Sequence, residues 1–179
     1  RRGDGFPAMD EENLILRRRG LRIYVLTSAG TAAWLAALFA APFFQSLGWR
    51  GARFLYACFA PVCHQDPGRT IFLWGAPLAV CARCLGIYLG FGLGLILYPF
   101  RRSFCSVQLP RLRSFIFASL PIAADFAANV LGLWSTPHLP RLFTGVIWGS
   151  ILPFYFITGL TDLSARRISV KNPGAAGQA

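Results

Sequence analysis

From Ile23 to Phe44 the chain runs without one charged residue. Crossing the hydrocarbon core of a bilayer takes about 20 apolar residues of α-helix, so this segment alone directs the chain toward membrane. Three further segments follow the same rule. Cys84 to Phe100 is short and is expected to begin a turn or more earlier. Ser114 to Trp134 contains one charge, Asp125, and Leu142 to Leu160 contains none. Pro121 and Pro153 fall inside the last two, where neighbouring helices can re-satisfy a freed carbonyl. The pattern predicts an all-α integral membrane protein, a bundle of four transmembrane helices.

Charge then gives direction. Only 14% of residues are charged and 55% are hydrophobic, yet 18 basic residues face 7 acidic ones. A nucleic-acid binder of this basicity carries its charge in a hydrophilic, lysine-rich chain. Here Lys171 is the one lysine, so nucleic acid is excluded as a partner and membrane lipid is expected. Thirteen basic residues fall before the first span, between the second and third, and after the fourth. Five (Arg50, Arg53, Arg69, Arg83 and Arg141) fall in the other loops. The positive-inside rule therefore predicts a multi-pass protein of the inner (cytoplasmic) membrane with both termini cytoplasmic. The expected organisation is a cytoplasmic N-terminal segment over 1–22, a transmembrane domain over 23–162 with a Cys/His loop at 50–84, and a cytoplasmic tail over 163–179. The first segment lacks the apolar stretch of a signal peptide. Asp10, Glu11 and Glu12 mark a helix start leading into the first span, and Met9 is a candidate start of the protein. Trp49, Trp74 and Trp134 lie near span boundaries, as interface anchors do. Gly86, Gly90 and Gly94 recur every four residues on the second span, the spacing that lets a second helix backbone come close.

The chemistry concentrates in the outward loop. Cys58, Cys63, His64, Cys81 and Cys84 fall within one short stretch, leaving only Cys105 and His138 elsewhere. A Cys-x-x-Cys paired with an upstream Cys/His set resembles tetrahedral zinc spacing, and thiolate and imidazole are donors that zinc favours over magnesium or calcium. The metal set read from the sequence is Cys63, His64, Cys81 and Cys84, with Cys58 as the alternative ligand because adjacent Cys63 and His64 do not readily reach one ion together. Two other readings stay open. Local disulfides, Cys58 with Cys63 and Cys81 with Cys84, suit an oxidising compartment. Alternatively, Cys81 and Cys84 at a helix start, beside Arg69 and Arg83, have the setting of reactive thiols. In that case the architecture resembles quinone-linked thiol oxidoreductases. Cys105, in the opposite loop, reads as a free structural thiol.

The words Cys63-His64-Gln65-x-x-x-Arg69 and Val80-Cys81-Ala82-Arg83-Cys84-x-Gly86-Ile87-Tyr88-x-Gly90 resemble an uncharacterised family of prokaryotic membrane proteins, a domain of unknown function. The resemblance continues through an intramembrane Asp125 and Arg141-Leu-Phe-Thr144-Gly145, covering about residues 55 to 150. It departs at Asp125-Phe-Ala-Ala-Asn129, where the family tends toward Asp-Gly-x-x-Gln. The resemblance implies a membrane protein with a clustered Cys/His site and brings no activity with it.

Asp125 falls near mid-span, where an unpaired carboxylate costs several kcal/mol. Asn129 shares its helix face, and Arg69, Arg83 and Arg141 are candidate partners. The polar set Asp125, Asn129, Arg69, Arg83 and Arg141 reads first as a structural tie and second as a proton-linked transport site. His138 reads as a solvated loop residue before a metal or pigment ligand. No catalytic residue stands out, and the chain reads as more binding protein than enzyme. The expectation is a small membrane protein with a structural zinc, acting as an accessory or interaction subunit among partner subunits. A thiol oxidoreductase using quinone is the alternative, and the aromatic residues also suit contact with quinone or pigment.

Overall fold

The computed structural model describes residues 11–104, 108–132 and 137–171. Met9, Asp10, Cys105 and Trp134 lie outside these residues. Five α-helices are described: α1 (Glu11–Ser46), α2 (Ala52–Phe59), α3 (Ala82–Arg101), α4 (Leu112–Val130) and α5 (His138–Lys171). Three are long and apolar enough to cross a membrane: α1 over Leu14–Ser46, α3, and α5 over His138–Ser164. The helix start expected at Asp10–Glu12 and the first span form one continuous helix from Glu11 on. The second span begins only two residues before Cys84. The third span expected from the sequence, Ser114 to Trp134, corresponds to α4, 19 residues long. It carries Arg113, Asp125 and Asn129 and is not among the three.

Contacts along the helices fix their directions. Tyr24 of α1 donates to the Leu95 carbonyl of α3, while ten residues further on Trp34 meets Tyr88 edge to face. Helix α1 therefore runs antiparallel to α3. Arg19 reaches the Ser164 carbonyl, so α1 opposes α5 as well. Helices α3 and α5 run parallel, because Gly86, Gly90 and Gly94 meet Leu142, Val146 and Ser150 in rising order. A Cβ on any of these three glycines would strike a backbone carbonyl of α5, closer than a real contact allows. The four-residue stripe is thus consumed inside the chain. Helix α4 returns between them: the Arg111 carbonyl accepts from Tyr155, Ser119 Oγ from Trp148 Nε1, and Asn129 Oδ1 from Arg141.

Two apolar clusters sit at opposite ends. One gathers Tyr98, Leu95 and Ile157 with Tyr24, Phe104 and Phe154. The other gathers Leu38, Ala41, Phe59, Cys63, Leu78, Ala79, Val80 and Leu85, and defines the thiol end. Large apolar side chains such as Leu26, Ile96, Phe117 and Phe156 remain exposed along the helices, as expected where the solvent is lipid and helix association rests on close packing.

The segment joining α1 to α3 carries structure that periodicity did not announce. After α2, a 3₁₀ turn at Pro67–Arg69 is capped by Asp66, which accepts from the Gly68 amide. A two-residue hairpin then pairs β1 (Phe72–Leu73) with β2 (Ala76–Pro77). Its turn residues, Trp74 and Gly75, both take positive φ, at 52° and 78°. That is the signature of the mirror-image turn whose twist matches a tight hairpin. The hairpin aims Leu78, Ala79 and Val80 into the core, each 2% exposed or less, and delivers the chain to Cys81.

Candidate metal centre

Cys81 caps α3 with extended backbone, φ −68° and ψ 160°, and Cys84 lies in the first turn of that helix. Cys63 approaches from the turn after α2, where its amide donates to the Phe59 carbonyl at 3.0 Å. The Cys81 amide donates to Cys63 Sγ at 3.2 Å. The sulfurs of Cys63, Cys81 and Cys84 all lie within 4.8 Å of one another. Zn–S bonds of about 2.3 Å in a tetrahedron place sulfurs roughly 3.8 Å apart, so the cluster needs little adjustment to close on one ion. All four described cysteines are free thiols.

Of the sequence-derived set, the structure brings together Cys63, Cys81 and Cys84. His64 and Cys58 lie outside this group, and both are exposed. The reason is local. Phe59, at 2% exposure, and Ala52 form the inward face of α2, and Cys58 sits about 100° around the helix from Phe59. Cys63 is 7% exposed and belongs to the apolar cluster.

Electrostatics single out one thiol. The hydrogen bond from Cys84 holds the Cys81 thiol well below its usual range, at about 5, with further hydrogen bonds from Cys63 and the local backbone outweighing burial. A thiolate is both the nucleophilic and the metal-binding form of cysteine.

Sequence reading passed over the residue that frames this site. Gln65, at φ 51°, donates from Nε2 to the carbonyls of Tyr56 (2.7 Å) and Ala79 (3.0 Å). It thereby clamps α2 to the strand leading into Cys81. Tyr56 adds a second tie by donating its hydroxyl to the Pro77 carbonyl, and burial pushes that hydroxyl's pKa up. Gln65 stands within the Cys-His-Gln word, so the signal was present without its meaning.

Behind the thiols runs a polar chain. Arg83 pairs with Asp125. Asn129 Nδ2 donates to the Asp125 carbonyl at 2.7 Å and to its Oδ1 at 3.3 Å. Arg141 donates to Asn129 Oδ1 at 2.6 Å. Three helices are tied through these four side chains. Arg69 pairs instead with Asp66 at 3.1 Å in the exposed loop. Gly145 packs against the Arg83 carbonyl, which a Cβ there would meet at 2.5 Å. The Arg-x-x-Thr-Gly word thus meets the polar chain twice, through Arg141 at Asn129 and through Gly145 at the Arg83 backbone. His138 begins α5 and is exposed.

An uncharacterized protein of Methanocaldococcus jannaschii is 34% identical over 142 residues, covering 76% of this chain and 91% of that one. An uncharacterized protein of Methanothermobacter thermautotrophicus is 31% identical over 91 residues, covering 49% of this chain and 78% of that one. No solved structure matches. The profile of a family described as "Predicted membrane protein (DUF2085)" matches residues 63–155. That span takes in Cys63, Cys81, Cys84, Asp125, Asn129 and Arg141 and leaves out Cys58. On both grounds, the matched half and the long archaeal alignment, the chain belongs to this predicted membrane protein family.

Proposed function

We propose that this is a four-span protein of the cytoplasmic membrane whose thiol end holds one structural zinc ion on Cys63, Cys81 and Cys84. The observation that carries the reading is three sulfurs within 4.8 Å, drawn from two separate chain segments. An ion there would fasten the segment after α2 to the start of α3. Such a clasp suits a long connection built from an eight-residue helix and a two-residue hairpin. Thiolates bind zinc and thiols do not, and Cys81 at about 5 is already a thiolate at neutral pH. The fourth position falls to His64, exposed beside Cys63 in the chain, or to water.

Parallel α3 and α5 support the four-span count. Two spans running the same way need a return crossing between them. Helix α4 makes that return, and its 19 residues measure about 28 Å at 1.5 Å per residue. The positive-inside rule then sets Arg17–Arg19, Arg101 and Arg166 in the cytoplasm with both termini, and the thiol end outside. The ion pair of Asp125 with Arg83 supports a tying role for Asp125 over proton-linked transport. The glycine stripe, being used within the chain, does not support a role among partner subunits.

A second reading has its own observation. An apolar groove of about 670 Å³ between α1, α3 and α5 is lined by Trp34, Tyr88 and Phe91, and Tyr88 packs on the thiol cluster. A quinone seated there would accept two electrons from the Cys81 thiolate and the Cys84 thiol, with one proton from Cys84 and one from water, leaving a disulfide and a quinol. Elemental analysis decides between the readings. One zinc per chain, lost in Cys63→Ser, is expected. A zinc-free chain with a Cys81–Cys84 disulfide that cycles with quinone would establish the second instead.

A further inference from the structure

At the thiol end, a cavity of about 200 Å³ opens between the last turn of α4 and the first turns of α3 and α5, lined by Arg69, Arg83, Phe126, Asn129, Val130 and Arg141. Three guanidinium groups converge on it from three separate elements. Arg69 is balanced by Asp66 and Arg83 by Asp125. Among the described residues, no carboxylate lies within ion-pair distance of Arg141. Arg141 is nevertheless only 9% exposed, and its one acceptor among the described residues is the neutral Asn129 Oδ1. Among the described residues, the Nε atoms of Arg83 and Arg141 are both buried without a hydrogen-bond partner. A buried cation lacking a counter-charge is strongly disfavoured. Water can answer the N–H groups but leaves the charge.

We infer that this cavity is a binding site for a phosphate-class oxyanion, held by Arg69, Arg83 and Arg141. A planar carboxylate matches one guanidinium fork, whereas a tetrahedral oxyanion presents oxygens toward several donors arriving from different sides. Phe126 and Val130 are both more than half exposed and carry the cavity rim onto the lipid-facing surface of α4. Inorganic phosphate and a phospholipid headgroup therefore offer the same chemistry here, and basic pockets between membrane helices do hold lipid headgroups. The site is separate from the thiols and stands whether or not they hold metal.

The test uses the full chain in neutral maltoside micelles, titrated with sodium phosphate against sodium chloride at equal ionic strength, with thermal unfolding as readout. Saturable stabilisation by phosphate is expected, with affinity reduced about tenfold in Arg69→Gln, the order expected for one charge-assisted hydrogen bond, and saturation lost in Arg141→Gln. Arg69 is exposed, so its variant carries the test even if Arg141→Gln does not fold. A parallel arm compares retention of phosphatidylglycerol and phosphatidylcholine by native mass spectrometry. Retention of phosphatidylglycerol that falls in Arg69→Gln identifies a headgroup as the source. Phosphate saturation without lipid retention identifies the free ion. Equal response to phosphate and chloride, with lipid retention unchanged in Arg69→Gln, overturns the inference.

Discussion

Arg83 stands between two thiols in the sequence, yet its guanidinium turns away from them and pairs with Asp125 on α4. The start of α3 is thereby tied to the far end of a helix that follows it in the chain. The side chains are 22% and 10% exposed, so neither charge is well served by solvent if the other is removed. Asp125→Ala is expected to destabilise the protein by on the order of 3 kcal/mol, as for breaking one side of a buried pair. Asp125→Asn, which keeps an acceptor, should lose less. Unfolding in mixed micelles measures both, and an unchanged midpoint for Asp125→Ala would remove the tie from this account.

Replacing Cys63, Cys81 or Cys84 by Ser should each abolish stoichiometric zinc. Cys58→Ser should leave it in place, because Cys58 is exposed and outside the cluster. Elemental analysis after size exclusion reads all four variants. Zinc loss in Cys58→Ser equal to that in Cys63→Ser would redraw the site.

Once chelator has removed any metal, Cys81 should be the most readily alkylated of the three clustered thiols. Only the thiolate reacts, so the rate rises with pH and is half-maximal near the thiol's pKa, about 5. Labelling by iodoacetamide should accordingly persist at pH 6 and fall away below pH 5. Cys84→Ala removes the largest cause of the depression and should move the midpoint up. Mass spectrometry of labelled peptides across pH gives the profile.

Two glycine-to-alanine changes should differ in sign. At Gly90 a Cβ would collide with the Val146 backbone, and forced overpacking costs about 1–3 kcal/mol. At Gly30 nothing lies within 4 Å, so alanine should gain up to about 1 kcal/mol from helix propensity. Thermal midpoints of Gly90→Ala and Gly30→Ala, measured side by side in detergent, give the comparison.

The long helices were legible because lipid imposes a crude rule, an unbroken apolar run, which the stretch from Ile23 to Phe44 satisfies outright. Helix α2 and the Trp74–Gly75 hairpin obey no such rule. Each is too short for periodicity to register, and each is held by long-range bonds such as those from Gln65. The cysteine cluster was visible from spacing. Cys63 was read there ahead of Cys58, but the reason Cys58 stays outside was not visible, because it depends on which face of α2 carries Phe59, and neither was the separation of His64 from the cluster. Asp125 plainly needed a cation, but selecting Arg83 over Arg69 and Arg141 required the rotation of α3 against α4. Likewise the glycine stripe announced a close helix contact without saying that the partner was α5 of the same chain.

The parallel pairing of α3 with α5 also orders biogenesis. A ribosome releases α3 well before α5, and the two cannot meet until α4, which lies between them in the sequence, has also been made. Through that interval the glycine face of α3 lacks the α5 backbone it packs against. The bundle therefore closes late, on arrival of the last helix, and a nascent chain truncated before His138 leaves α3 without its principal contact.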